Sequence, residues 1–218
     1  MKKLITIFAA LMLTTSAYAG SFGIGATGSI ADVKASGTEK EGTAADTSIR
    51  STDVDARSLV GSIFAEYIFD GGYTLGYEHV PGSADISDKT HTRGEVAVGK
   101  AGESTDGSIT RVADAEVENL NTIYVEVPVY KMYLKAGFSQ MDVNTMEKAQ
   151  TDGGTYGNTT LDGVVVGLGY KSDMGSYYIK TNVQYTDFEE LKLNSSSNNS
   201  ITADLDVTEL RVAIGKTF

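Results

Sequence analysis

The chain of 218 residues contains no cysteine, no tryptophan, two prolines and two histidines. The absence of cysteine excludes disulfide bonds, cysteine metal ligands and thiol catalysis. Stability must therefore come from burial and backbone pairing. Beyond its N-terminal region the chain also lacks an apolar run approaching the ~18 residues that indicate a transmembrane helix, so no such helix is predicted there.

The N-terminal region has the three parts of a secretory signal peptide. Lys2 and Lys3 precede an apolar run over 4–13, and Ala17-Tyr18-Ala19 ends in small residues suited to cleavage. We predict that residues 1–19 are removed and that residues 20–218 form one domain. The apolar run is too short to cross a bilayer as a helix, which takes about 20 residues.

Positive charge is scarce. The chain carries 18 Lys and Arg against 29 Asp and Glu, and removal of Lys2 and Lys3 leaves a net charge of 16 − 29 = −13. Such a balance excludes general nucleic-acid binding, because proteins neutralise phosphates with Lys and Arg.

The predicted mature region divides into eight short runs of alternating apolar and polar residues. Short turns are expected at 70–72, 128–130 and 171–175, and long polar loops at about 32–57, 81–119, 141–160 and around 194–200. Strict alternation of short and long connections is typical of outer-membrane barrels, whose short turns lie on the periplasmic side. We therefore predict an all-β fold, an eight-stranded antiparallel up-and-down transmembrane barrel.

Periodicity alone leaves open whether the apolar face contacts lipid or fills a soluble barrel. The opposite face carries only a few charges among Gly, Ser, Thr, Asn and Gln, which favours the lipid-facing arrangement. Aromatic residues gather near the short turns, as in an interfacial girdle: Phe69, Tyr73, Tyr130, Tyr170, Tyr177 and Phe218. A weaker second girdle is expected at Phe138, Tyr185 and Phe188.

The last strand places Leu210, Val212, Ile214 and the terminal Phe218 on one face. With the signal peptide and the hairpin rhythm, this pattern resembles the small eight-stranded outer-membrane barrels, namely the outer-membrane protein A transmembrane domain and its X-type and opacity-type relatives. The resemblance implies that these four residues are an assembly signal read by the barrel-assembly machinery. Lys216 departs from the pattern, where an apolar or aromatic residue is usual.

Six charged residues on the inward face are expected to meet in one layer of the lumen. An eight-stranded barrel is just wide enough for its own side chains, so charges there are desolvated and must pair. We predict a salt-bridge network that plugs the barrel, with a gated ion path or proton relay as the alternative. The six residues are Glu66, Glu78, Glu126, Lys135, Lys180 and Arg211.

Other candidate chemistry is weaker. His79, Ser83 and Asp85 combine a base, a hydroxyl and a carboxylate, but a catalytic triad is defined by geometry and not by proximity in sequence. The acidic clusters 53–55 and 114–118 offer oxygen ligands for Ca²⁺ or Mg²⁺ without calcium-loop spacing. We expect no cofactor and no metal site.

The expected function is that of a non-enzymatic integral barrel of the bacterial outer membrane. It would act structurally, or through its long loops on a surface ligand, host or phage, with the lipid bilayer and lipopolysaccharide as surroundings. A narrow pore for small solutes or ions is the alternative, and a lipid-modifying enzyme comes third.

Overall fold

The computed structural model describes residues 20–43, 46–85, 91–96, 108–113, 115–145, 156–195 and 200–218. The predicted signal peptide, 1–19, lies outside the described residues. Within these ranges no helix is long and apolar enough to span a membrane.

The described residues form twelve β-strands joined by short turns and by segments outside the described ranges. In chain order they are β1 Gly20–Thr43, β2 Asp46–Phe69, β3 Thr74–His79, β4 Ser83–Asp85, β5 His91–Val96, β6 Ser108–Ala113, β7 Ala115–Val129, β8 Met132–Thr145, β9 Thr159–Met174, β10 Tyr177–Phe188, β11 Leu191–Asn194 and β12 Ser200–Thr217.

Eight of these strands form one closed ring. Each pairs antiparallel with its neighbours in the order β1, β2, β3, β7, β8, β9, β10 and β12, and β12 pairs back onto β1. The closing register runs from Gly23 opposite Thr217 to Lys40 opposite Ser200. Because the ring closes, a strand segment that is paired on both sides has no backbone groups left unpaired at a sheet edge. The predicted eight-stranded up-and-down barrel is confirmed.

The short connections lie at one end of the ring. Gly71 and Gly72 have φ of +92° and +85°, values that favour glycine, and they allow the chain to reverse between β2 and β3. Tyr130 and Lys131 form the turn between β7 and β8. The third turn is shorter than predicted, because β9 continues to Met174 and only 175–176 lie between it and β10.

At the other end, much of the sequence predicted as loop is strand. The segment 32–57 was expected to be a loop, yet β1 and β2 pair continuously from Gly20 opposite Phe69 to Thr43 opposite Asp46. Strand structure also enters the other three expected loops, at β4 to β6, at the far ends of β8 and β9, and at β11. Most residues of 32–57 are small, polar or charged, which favours a loop, although Val33 and Ala35 face inward and pack against buried apolar residues.

The outward face of the ring carries an apolar belt. Its members include Ile24, Ile30, Leu59, Ile63, Val125, Val127, Leu134, Val164, Val166, Leu168, Ile179, Val183, Leu210, Val212 and Ile214, all exposed. Most residues predicted for the girdle at the short-turn end are also exposed, with Tyr130 fully so. In the second girdle Phe138 and Tyr185 face outward, but Phe188 was placed wrongly: it is buried inside the ring.

Phe188 belongs to an apolar cluster inside the long-loop half of the barrel, which the sequence analysis did not anticipate. Alternation in β10 gives the physical reason, since Tyr178, Lys180 and every second residue up to Phe188 point inward. The buried members of the cluster are Met141, Val143, Leu161, Phe188 and Leu205.

Candidate functional site

The structure brings the six charged residues predicted for the lumen together inside the barrel. Each comes from a different strand, so six of the eight strands of the ring contribute one charge each. Alternation turns each of them inward, and their exposed fractions lie between 1% and 5%. The residues are Glu66 on β2, Glu78 on β3, Glu126 on β7, Lys135 on β8, Lys180 on β10 and Arg211 on β12.

Lys180 lies between two carboxylates. Its ammonium contacts Glu66, and its Nζ lies 2.6 Å from Oε2 of Glu126. Glu66 also accepts hydrogen bonds from the hydroxyls of Tyr124, at 2.7 Å, and Tyr178, at 2.8 Å. Three donors therefore saturate one buried carboxylate, which is the condition under which a charge can be held away from water.

Glu78 is the centre of a second group. Its carboxylate accepts from the guanidinium of Arg211 and from the hydroxyl of Ser62, and Nζ of Lys135 lies 3.4 Å from its Oε2. Lys135 stands directly opposite Glu126 in the pairing of β7 with β8. Its ammonium also lies 4.0 Å from the ring centroid of Tyr124, a cation–π contact.

Sequence reasoning missed a seventh charge. Glu209 is 8% exposed and accepts hydrogen bonds at 3.0 Å from Nη1 of Arg211, 2.8 Å from Ser29 and 2.9 Å from Gln184. Alternation could have found it, because it lies two residues before Arg211 and shares its face. We call these seven residues the charge layer.

Tyrosine rings complete the charge layer by lying over glycines on neighbouring strands. A side chain at Gly215 would collide with the ring of Tyr178, and one at Gly76 with the ring of Tyr124. Glycine is required at these two positions because the ring lies almost on the backbone. Each ring thereby brings its hydroxyl to Glu66.

The charge layer contains four carboxylates and three cations. Burying so many charges is costly in free energy, and pairing offsets that cost only when the geometry and additional hydrogen bonds are good. Removal of one partner would leave an uncompensated charge in a water-poor lumen. Chemically, the arrangement is a set of buried ion pairs and hydrogen bonds that links strands across the lumen.

Two buried polar atoms beside the charge layer have no hydrogen-bond partner among the described residues. They are Nδ2 of Asn182 and Oε1 of Gln184. Buried polar atoms in native proteins are nearly always partnered, so each such atom calls for an explanation.

The candidate triad is not assembled by what the structure describes. His79 ends β3, and its Nδ1 lies 2.9 Å from Oδ1 of Asn121. Ser83 begins β4 and is exposed, while the side chain of Asp85 lies outside the described residues.

The acidic clusters make ordinary hydrogen bonds. Asp53 accepts from Ser36 at 2.8 Å, and Glu118 accepts from Asn144 at 2.7 Å. Asp114 lies outside the described residues. In the described part of the chain no group of three His, Asp or Glu residues is arranged to hold a metal ion.

Three residues of the predicted assembly signal lie on the outward face of β12, and the fourth, Phe218, follows its last residue. Leu210, Val212 and Ile214 are a little over half exposed, and Phe218 is 66% exposed. Nζ of Lys216 lies 4.8 Å from the ring centroid of Phe218, so this exception to the pattern lies beside the terminal aromatic ring.

Comparison with known proteins gives the fold. No family model matches the chain, and no curated protein matches it significantly. Among solved structures, the outer membrane protein OprG of Pseudomonas aeruginosa superposes with a TM-score of 0.52 at 13% identity, covering 92% of this chain and 97% of OprG. The Neisserial surface protein NspA, at 9% identity, covers 90% of this chain and 97% of its own with a TM-score of 0.41.

The outer membrane protease OmpT of Escherichia coli, at 10% identity, covers 94% of this chain and all of its own with a TM-score of 0.47. Three features define the class of protein: a closed antiparallel ring, an outward apolar belt and a buried, charged interior. The chain has the fold of the small bacterial outer-membrane β-barrels, and its outward apolar belt agrees with the predicted location in the bacterial outer membrane.

Proposed function

We propose that the protein is a closed, non-enzymatic barrel that acts at the cell surface through its exterior strands. The observation that carries this proposal is the charge layer. Seven charged side chains, with Tyr124 and Tyr178 wedged over glycines, fill a lumen whose width leaves little space beyond them. A lumen closed in this way gives no continuous path for ions or polar solutes.

The exterior part of the barrel supplies the surface for interaction. β1 and β2 pair beyond the apolar belt as far as Thr43 and Asp46, and β12 pairs with β1 up to Lys40. Polar contacts tie the hairpin together, among them Ser36 to Asp53 at 2.8 Å and the Arg57–Asp32 ion pair at 2.5 Å. A structured hairpin is better suited to a binding surface than a flexible loop, because less conformational entropy is lost on binding. The partner would be a host surface, a phage or neighbouring lipopolysaccharide.

Single-channel recording in planar bilayers tests the closed lumen. We expect no steady channels from the wild-type protein. The double variant Glu66→Ala/Lys180→Ala removes a central pair and two long side chains, and it should give openings absent from the wild type. Steady wild-type channels would instead support the alternative function, a narrow pore.

Shortening of the exterior hairpin tests the surface role. Residues 36–53 would be replaced by a two-residue turn, and binding to whole cells, phage and lipopolysaccharide would be measured. A matched control shortens 191–200 at the neighbouring β11–β12 hairpin. We expect loss of binding only in the first variant; equal binding by both would contradict a role for the β1–β2 hairpin.

The C-terminal strand is the proposed contact for the barrel-assembly machinery. Support comes from the outward alternation of Leu210, Val212, Ile214 and Phe218. Deletion of Phe218 should lower the amount of folded barrel in membranes, measured by heat-modifiable migration in gels. Unchanged folding yield would contradict this role.

A further inference from the structure

Above the charge layer, toward the long-loop end, the lumen contains a cavity of about 230 Å³. We call it the upper cavity. Its volume lies below the range of drug-sized ligand sites, about 300–1,000 Å³, so only a small ligand would fit. Its apolar wall includes Val33, Leu120, Met141, Phe188, Leu205 and Val207.

Among the described residues, the upper cavity reaches the outside of the barrel through the wall. Besides the inward residues, it is lined by Leu59, which is 82% exposed, and by the exposed segment 81–84. The sheet explains this, since β2 pairs with β3 only over Ile63–Ile68, while β4 pairs with β7. Among the described strands, β2 beyond Ile63 therefore has a ring neighbour on one side only. Leu59 belongs to the apolar belt, so the opening lies at the level of the membrane.

The floor of the cavity carries a hydrogen-bond acceptor without a donor. Gln184 lines the cavity and is 3% exposed. Its Nε2 donates a hydrogen bond to Oε2 of Glu209 at 2.9 Å. The carboxylate of Glu209, which also accepts hydrogen bonds from Arg211 and Ser29, can only accept, so the side-chain nitrogen of Gln184 must face it. Oε1 is thereby left as the free atom, with no partner among the described residues. A buried acceptor of this kind favours a ligand that brings an O–H or N–H.

We propose that the upper cavity binds a small neutral amphiphile, an apolar chain ending in a hydroxyl or similar donor, which comes from the outer leaflet through the opening between β2 and β4. The chain would lie against the apolar wall, and the hydroxyl would donate to Oε1 of Gln184. An anionic head group fits less well, because an ionised carboxylate has no proton to donate. Arg211 also lines the cavity, but it is already paired with the two carboxylates there, Glu78 and Glu209. This site goes beyond the proposed surface role and does not depend on it.

The test uses the mature protein in lipid nanodiscs with ¹³C-labelled methionine methyl groups. Met141 lines the cavity, whereas Met132 and Met174 are exposed on the outward surface and report nonspecific uptake into the bilayer. The probes are 1-octanol, octanoate and octane at equal ratios to lipid. We expect a saturable shift at Met141 with octanol, with a midpoint at least tenfold lower than for octane or octanoate, and only a gradual drift at Met132 and Met174.

Three variants define the site. Gln184→Leu should raise the octanol midpoint to that of octane, and Ala31→Phe should abolish the saturable shift by filling the cavity; Leu205→Phe replaces the latter variant if it does not fold. Gly61 lies at the opening, and a Cβ added there meets no neighbour within 4 Å. Gly61→Trp should therefore slow the exchange of octanol between the bilayer and the cavity. An absent saturable shift, or equal midpoints for octanol and octane in wild type and Gln184→Leu, would overturn the site. Unchanged exchange in Gly61→Trp would overturn access from the membrane.

Discussion

The two halves of the lumen are built differently. Toward the short turns, the inward residues are charged or aromatic and interlock so closely that glycine is required beneath two rings. Toward the long loops, a buried apolar cluster that includes Met141, Phe188 and Leu205 lies inside the ring, and a cavity of about 230 Å³ remains beside it. The same alternation runs through both halves, so backbone geometry decides which residues enter the lumen, and side-chain chemistry decides how they pack there.

The largest loss of unfolding free energy is expected from Glu66→Ala. Lys180 would keep one of its two carboxylates, and the hydroxyls of Tyr124 and Tyr178 would lose their acceptor inside the barrel. Breaking a buried ion pair costs about 3–5 kcal/mol of unfolding free energy. Urea unfolding in lipid vesicles measures it. Glu66→Gln, which keeps the shape and part of the hydrogen bonding, should lose less; a change below about 0.5 kcal/mol in both variants would mean that the charge layer does not stabilise the barrel.

In the apolar half, Leu205→Ala should cost about 2 kcal/mol, the low end of the range for leucine truncation. The loss is small for a buried leucine because the side chain lines an existing cavity and has fewer neighbours to lose. The same unfolding assay measures it, and Leu205→Met, which conserves volume, serves as the control. A loss as large as that of Glu66→Ala would remove the contrast between the two halves.

Gly215→Ala tests how tightly the side chains pack in the half of the lumen near the short turns. The added methyl group must displace the ring of Tyr178, and overpacking of this kind costs about 1–3 kcal/mol. The hydroxyl of Tyr178 would move away from Glu66 as well. Gly28→Ala on the same sheet is the matched control, since its methyl group meets nothing within 4 Å. Equal stability of the two variants would show that the ring is not tightly held.

The smallest change in unfolding free energy is expected from Arg57→Ala, because Arg57 is exposed and lies outside the lumen. The guanidinium of Arg57 donates hydrogen bonds to Asp32 and holds the pKa of that carboxyl below its usual value. The folded-state pKa is lowered, so any stabilisation is present at neutral pH and is lost as the pH falls through the folded-state pKa. Because both side chains are solvated, we expect no measurable change in unfolding free energy at pH 7. A clear change, absent at low pH, would show that the exterior hairpin is coupled to the barrel.

The sequence predicted the ring, its three short turns and the six charged residues named for its lumen, because period-two alternation and tight-turn residues are local signals. Glu209 and Phe188 lay on the same inward face and were accessible to the same reasoning carried further along β12 and β10. The cavity and the gap beside β2 were not predictable, since they depend on where β3 stops pairing with β2. The sequence predicts a loop over 32–57, because the few apolar residues that face inward there, such as Val33 and Ala35, stand among many polar and charged ones.

A double-mutant cycle on Glu66 and Lys180 tests most directly whether paired charges stabilise the proposed closed lumen. Unfolding free energies would be measured in vesicles for Glu66→Ala, Lys180→Met and the double variant. We predict that the double variant is more stable than the sum of the single losses implies, by at least about 1 kcal/mol, since removing both partners leaves fewer unpaired charges. Additivity within about 0.5 kcal/mol would contradict the account, because it would mean that the two side chains contribute independently.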